Sequence, residues 1–469
     1  MKKRSVIIPV LGLLFILSSC TKQLMQDPTT EKEAGNFLSN ETEVEEYVNA
    51  VYANLQFNGL YGLFMPAIAE IPSDNTYDEV PANDDGIYGQ LDQFTLIASN
   101  GIIASTWQDS YKAIQKANVV LNRIENISYN VATTKEARKG EMKFIRALLY
   151  FNLVRLYGDV PLALKETTDP NVYFGQGRTP SADVYTQIIK DLTEAIDELP
   201  VSSAQSGKVI KTAAQALLGK VYLTLKDYTN AKIQLTAVVN SGRHRLMTNT
   251  TDVFSIANEN NAEIIFAVQF ASGLNGNTEG STMFQQFSPS GTQSGAKGHN
   301  LPTKSLYNLY TATDKRKGSY IDVTAAGIPY CKKLSQPTTV ITDGGSDVVI
   351  LRYADVLLML AETENELNNT VAAIPYIDSV RVRAGLPGTT ALTQDDLRSA
   401  IALERRLELI GEGQRWFDLV RTGTAVSVMN KWFSDNGILT TIDNHNLLMP
   451  VPQGQIDTDP SIKQNKDYN

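Results

Sequence analysis

Cysteine, histidine and tryptophan are scarce in this chain: two, three and three in 469 residues. One cysteine, Cys20, ends an apolar leader. Once it is modified there, Cys331 has no partner for an intrachain disulfide. The fold must then be held by burial, which a 42% hydrophobic content supports. His244, His299 and His445 stand far apart, and no zinc-ligand spacing occurs. After the leader no apolar run is long enough to span a bilayer. The greasiest segment, Val348 to Ala361, carries Arg352 and Asp355 and reads as a buried helix. Runs of Lys and Arg are also missing. The formal charge of −9 becomes −12 when Lys2, Lys3 and Arg4 leave with the leader. Nucleic acid and anionic lipid are therefore poor partners.

Catalytic signatures are absent as well. Gly291 to Gly298 resembles a phosphate loop but has Ala296 where Gly is needed and Gly298 where Ser or Thr should bind magnesium. No nucleophile elbow appears. Six acids crowd one polar stretch: Glu70, Asp74, Asp78, Glu79, Asp84 and Asp85. A glycosidase needs two carboxylates about 5–10 Å apart, a condition that six loop acids meet by chance. They read as solvated turn formers. A structural calcium is conceivable, but Asn83-Asp84-Asp85-Gly86 lacks the alternation of an EF-hand. The expectation is a non-enzyme, with no catalytic residues, no metal ligands and no cofactor.

What is present begins with the leader. Lys2, Lys3 and Arg4 precede the apolar run Val6 to Leu17 and the small residues Ser18 and Ser19. Residues 1–19 read as a signal peptide. Leu17-Ser18-Ser19-Cys20 resembles a bacterial lipobox, which makes Cys20 the lipidation site and residues 20–40 a lipid-anchored tether. Two or three acyl chains suffice for stable anchoring.

The rest is mostly helical. Glu41 to Leu55 has Val44, Tyr47, Val48, Val51, Tyr52 and Leu55 on one face. Met142 to Tyr157 is apolar nearly all round, as a helix covered on several sides would be. Leu218-Gly219, Tyr222, Ala231, Leu235 and Val238 follow tetratricopeptide spacing: small residues let two antiparallel helices approach and Tyr222 fills the space beside them. Glu263 to Phe270 reads as a short strand. Val348 to Asn368, Val371 to Ala384 and Asp395 to Ile410 read as helices. The predicted fold is a tetratricopeptide-like scaffold of about four helix pairs, with long irregular insertions at 57–100 and 271–345 and a few short strands. Residues 41–242 form an N-terminal region and 243–469 a C-terminal one. In the charged stretch Glu404 to Arg421, helical spacing pairs Glu412 with Arg415 and Asp418 with Arg421, while Trp416, Phe417 and Leu419 enter a core.

Several blocks together resemble the SusD/RagB outer-membrane lipoproteins: Trp107, Tyr111, Ile114, Ala117 and Asn118; Gly140 to Phe151 with Leu156 to Pro161; Leu351 to Leu358; Arg381 to Leu386; Glu404 to Arg421; and Pro450 through Tyr468. The resemblance runs over essentially the whole mature chain. It implies a surface-exposed, lipid-anchored lid on a SusC-like TonB-dependent barrel, capturing oligosaccharides for uptake, with its scaffold toward the barrel and its insertions toward the ligand. Peptide capture is the alternative on the same scaffold. A pure scaffold protein and a glycosidase are more distant readings.

Sugar recognition needs aromatic faces with polar side chains beside them. The insertions contain no Trp, which leaves Tyr and Phe as platforms. The ligand candidates are Asp74, Asn75, Tyr77, Tyr88 and Phe64 in the first insertion, beside Tyr61 and Asp78. In the second they are Phe284 and Phe287, beside Gln285 and Gln286.

Overall fold

The computed structural model describes residues 37–169, 171–334 and 336–468. The expected signal peptide, Cys20 and the tether up to residue 36 lie outside the described residues. Among the described residues no helix is long and apolar enough to cross a membrane.

The helices in chain order are α1 (Glu41–Asn54), α2 (Phe64–Ile68), α3 (Ile87–Asp92), α4 (Gly101–Arg123), α5 (Ala132–Tyr157), α6 (Ser181–Glu198), α7 (Lys211–Thr224) and α8 (Tyr228–Asn240). After the second insertion's short α9 (Met283–Phe287) and α10 (Lys304–Leu309) come α11 (Tyr353–Glu366), α12 (Thr370–Arg383), α13 (Gln394–Glu408), α14 (Arg415–Thr422), α15 (Ala425–Asp435) and α16 (Gln453–Thr458). Among the described residues six strands pair two by two and antiparallel: β1 (Thr76–Tyr77) with β3 (Leu301–Pro302), β2 (Ile264–Val268) with β6 (Val348–Arg352), and β4 (Ile321–Val323) with β5 (Pro329–Cys331).

Successive helices α4 to α8 pack each on the next, and α11 resumes the row against α8 before pairing with α12. This is the tetratricopeptide-like scaffold that the spacing predicts, interrupted by one long excursion. Local signals start its helices: Asn40, Asn100 and Thr393 cap α1, α4 and α13 by accepting from Glu43, Ile102 and Asp396 backbone N–H groups. At the α7–α8 contact a Cβ on Gly219 would stand 2.6 Å from Leu235 Cγ. That is why glycine occupies this place in the repeat. The central helix α5 is buried on nearly every side from Gly140 to Tyr157.

Two expectations need correction. Val348 to Asn368 is not one helix. Val348–Arg352 is a strand on β2, with Val349 opposite Ala267, and the helix begins at Tyr353. The β-branched run Val348-Val349-Ile350 suits a pleated, covered position. Nor does Glu412 meet Arg415. Glu412 precedes α14, so helical spacing does not apply to it. It binds Arg352 (Nε–Oε2 2.6 Å) and Lys333 (2.6 Å), while Arg415 turns to Asp74. Asp418 and Arg421 do pair, at 2.8 Å, and Trp416, Phe417 and Leu419 are buried.

An interior ion network ties the second insertion to α12 and α13. Arg352 bridges Glu263, Glu408 and Glu412, and Arg316 bridges Asp314, Glu404 and Glu408. Burial opposes ionisation of Glu408, yet Arg383, Arg352 and Arg316 hold its carboxyl far below the usual carboxylate range. Cys331 lies beside this network, buried, with Sγ 3.9 Å from Ile410 O.

Candidate functional site

The two insertions, distant in sequence, meet edge to edge. In the β1–β3 ribbon Thr76 faces Pro302 and Tyr77 faces Leu301. The contact continues through Glu79 N donating to Gly298 O (2.9 Å) and Ser290 N donating to Glu79 Oε2 (2.7 Å). At its centre His299 is fully buried. Its Nδ1 lies 2.9 Å from Asp78 Oδ1 and its Nε2 2.8 Å from Asp84 Oδ2. Its ring stacks on Tyr88, centroids 3.9 Å apart. Lys297 Nζ holds the other Asp84 oxygen at 2.9 Å. Burial works against ionisation of Asp84, but the bonds from His299 and Lys297 keep its carboxyl below its ordinary value.

The chain leading to His299 forms one wall of a hollow of about 680 Å³. That wall carries Phe284, Thr292 and Gln293. The β4–β5 hairpin supplies Tyr330, followed by Lys332 and Gln336, and the segment after α8 supplies Thr251 and Phe254. Strand alternation sets the hairpin's contribution: Pro329 and Cys331 point inward and are buried, so Tyr330 between them points outward and is half-buried. Burial, then the Asp322 charge opposite it, raises the Tyr330 phenol above its usual value. At neutral pH it therefore keeps its proton and can donate a hydrogen bond. Lys332 Nζ donates to Gly318 O at 2.8 Å, and Gln336 Nε2 donates to Phe254 O. Hydroxyl and amide side chains dominate the lining, and no described lining residue is Asp or Glu. The paired carboxylates that glycoside hydrolysis needs are not in this wall.

The predicted ligand residues are distributed differently. Asp74 and Asn75, 4% and 1% exposed, are turned inward. Arg415 grips both Asp74 oxygens, and Arg406 binds Asn75 Oδ1 (2.7 Å) and Asp74 O (2.7 Å). The Asp74 carboxylate and Asn75 Oδ1 are thus committed to the C-terminal region, and Asn75 Nδ2 donates to Glu70 Oε2 (3.3 Å). Tyr88 is spent on His299, Phe64 packs edge-on against Tyr88 at 6.2 Å, and Phe287 is buried in the main core. Tyr77 is half-buried beside the ribbon, and Phe284 lines the hollow with 8% of its surface exposed. The acids expected to be solvated are mostly interior: Glu70, Asp74 and Asp78 are buried and Asp84 is paired, while Asp85 is exposed. Among the described residues no group of three or more His, Cys, Asp or Glu side chains is arranged to hold a metal ion. Sequence reasoning misses Tyr330, Gln293 and Gln336. Only the in-out-in triplet Pro329-Tyr330-Cys331 carries a signal, and three residues are too short a run to read.

Comparison with known proteins matches this architecture. A family model described as "SusD family" matches residues 320–468, and one described as "Starch-binding associating with outer membrane" matches residues 26–223. SusD-like protein P25 of Formosa agariphila is 26% identical over all of this chain and 99% of that protein. A SusD-like protein of Bacteroides ovatus is 27% identical over 71% of this chain and 68% of that protein. Among solved structures, a laminarin binding SusD-like protein superimposes with a TM-score of 0.79 at 28% identity, over 92% of this chain and all of that one. Surface glycan-binding protein A from Bacteroides thetaiotaomicron, in complex with laminarihexaose, has the same fold, with a TM-score of 0.78 at 20% identity, over 91% of this chain and all of that one. From its repeat scaffold to its C-terminal blocks, the chain belongs to the SusD family.

Proposed function

We propose that this protein binds oligosaccharide without cleaving it, in the hollow between Phe284 and Tyr330, and delivers it to a SusC-like TonB-dependent barrel at the outer membrane. The observation that carries the binding reading is the hollow's lining. Aromatic side chains stand among hydroxyl and amide groups, with no described carboxylate in the wall. Tyr330 offers a ring face for a pyranose C–H surface, while Gln293, Gln336 and Thr292 offer partners for its hydroxyls. The laminarin-binding relative supports a glycan over a peptide. Lipid attachment at Cys20 would keep such a lid at the membrane through a leash and hold its effective concentration high at the barrel. In this reading Tyr77 is an outlying contact at the ribbon.

The test is calorimetric titration of the protein with laminari- and malto-oligosaccharides, followed by chromatography of the sugar. Binding with the sugar recovered intact is the expected result. Shortened sugar, or affinity for peptides alone, overturns the reading. Co-purification with a barrel from detergent-extracted membranes tests delivery, and a Cys20→Ala variant released from the membrane fraction tests the anchor.

A further inference from the structure

Phe287 roots the wall of the hollow in the main core, but residues 290–297 beyond it are exposed or half-buried. Residues 285–299 are held by a few backbone bonds, including Lys297 N to Gln285 O (3.0 Å), Gly298 N to Ser288 O (2.9 Å) and His299 N to Gln286 O (2.9 Å). The chain then crosses to the first insertion at His299. Both ring nitrogens of His299 face carboxylates, and ionised carboxylates only accept hydrogen bonds. Keeping both bonds therefore requires two protons among Asp78, His299 and Asp84. A neutral imidazole between two carboxylates has one, and one of the bonds must then open.

We propose that Asp78–His299–Asp84 is a proton-dependent clasp. His299 acts as a positioning residue that fixes the ligand-bearing wall 285–299 to the first insertion and lets it loosen when the second proton leaves. The binding half of this statement rests on the oligosaccharide reading, and the clasp itself does not. The charged and titratable groups around the ring are Asp78 and Asp84 on the ring nitrogens, Tyr88 on its face and Lys297 behind Asp84. Beyond them, Asp92 lies near Asp78 and Glu79 is bonded to Ser290 N. His299 is fully buried, but the Asp84 side chain is 31% exposed and gives protons a path to solvent.

Asp84→Asn gives a sharp test. The oxygen of the new amide can still accept from Lys297. Its nitrogen, in place of the carboxylate's Oδ2, can donate to a neutral His299 Nε2 while Nδ1–H donates to Asp78. Both bonds then survive with a neutral ring. Hydrogen–deuterium exchange of the intact protein, corrected for intrinsic rates, is followed from about pH 5 to about pH 9. In the wild type, exchange in peptides from 285–299 and 76–90 should rise together with pH by about tenfold, while α5 stays protected. His299→Leu should show the raised exchange at every pH, and Asp84→Asn should show the low value at every pH. Flat exchange in the wild type, or a pH response unchanged in Asp84→Asn, overturns the clasp.

With laminarihexaose as the probe, wild-type affinity should fall about fivefold over the same pH range and that of Asp84→Asn should hold. No binding by any form, together with the exchange pattern intact, refutes the oligosaccharide reading and leaves the clasp standing. Binding that ignores pH while exchange responds refutes the positioning role.

Discussion

Asp74 and Arg415, from opposite ends of the chain, form a two-point ion pair, with Nε–Oδ1 at 2.7 Å and Nη2–Oδ2 at 2.9 Å. Arg406 adds a third contact to the same carboxylate at 3.0 Å. Asp74→Ala is expected to cost about 3 kcal/mol, because it strands two half-buried guanidiniums. Affinity for oligosaccharide per folded molecule should be unchanged. Burial raises the Asp74 pKa, but Arg415 and Arg406 more than offset it and the net shift is downward. A folded-state pKa below the unfolded one stabilises above the unfolded value and loses that contribution as pH falls through the folded value. Acid denaturation monitored by circular dichroism should therefore be shallower in Asp74→Ala.

Tyr330→Ala should weaken oligosaccharide binding about tenfold, about 1.4 kcal/mol, and leave the melting temperature nearly unchanged, because the ring stands on the outer face of its hairpin. Phe284→Ala should lower both affinity and melting temperature, since that ring is also packed. Calorimetric titration and scanning calorimetry on the two variants separate recognition from packing.

Asp347 shows the opposite pH behaviour. Burial, aided by the Glu259 charge, pushes its pKa up to about 7 despite the bond from Phe270 N to Oδ1. A folded-state pKa above the unfolded one stabilises at acid pH and loses that contribution as pH rises through the folded value. Asp347→Asn keeps the Phe270 bond and removes the charge. Urea unfolding should show equal stability near pH 4 and an advantage for the variant above pH 7, on the order of 1 kcal/mol.

Gly219→Val should destabilise by about 2 kcal/mol. The new side chain meets Leu235 at the α7–α8 contact and adds a β-branch inside a helix. Chemical denaturation measures the loss.

The scaffold is legible because repeat packing writes itself locally. The period over Glu41 to Leu55 matches α1 within one residue, and Gly219, Ala231 and Leu235 fall on the α7–α8 contact. That local signal is the 3.6-residue period of buried faces. The candidate site lacks such a period. Asp74 and Asn75 look like free loop residues because nothing near them in sequence reveals Arg406 and Arg415. Phe64 and Tyr88 look like platforms until His299 arrives from the other insertion. Val348 to Arg352 passes for helix because a short apolar run next to one does not reveal its strand partner, β2. That the insertions meet could be expected from the resemblance, but which side chains survive unspent could not.

Cys331 offers a practical consequence. Burial pushes its thiol up to about 11, so the folded form holds almost no reactive thiolate at neutral pH. With Cys20 acylated it would be the sole titratable sulfur in the molecule. The rate at which an alkylating reagent captures it then clocks how often the C-terminal half breathes open, without any label having to be engineered in.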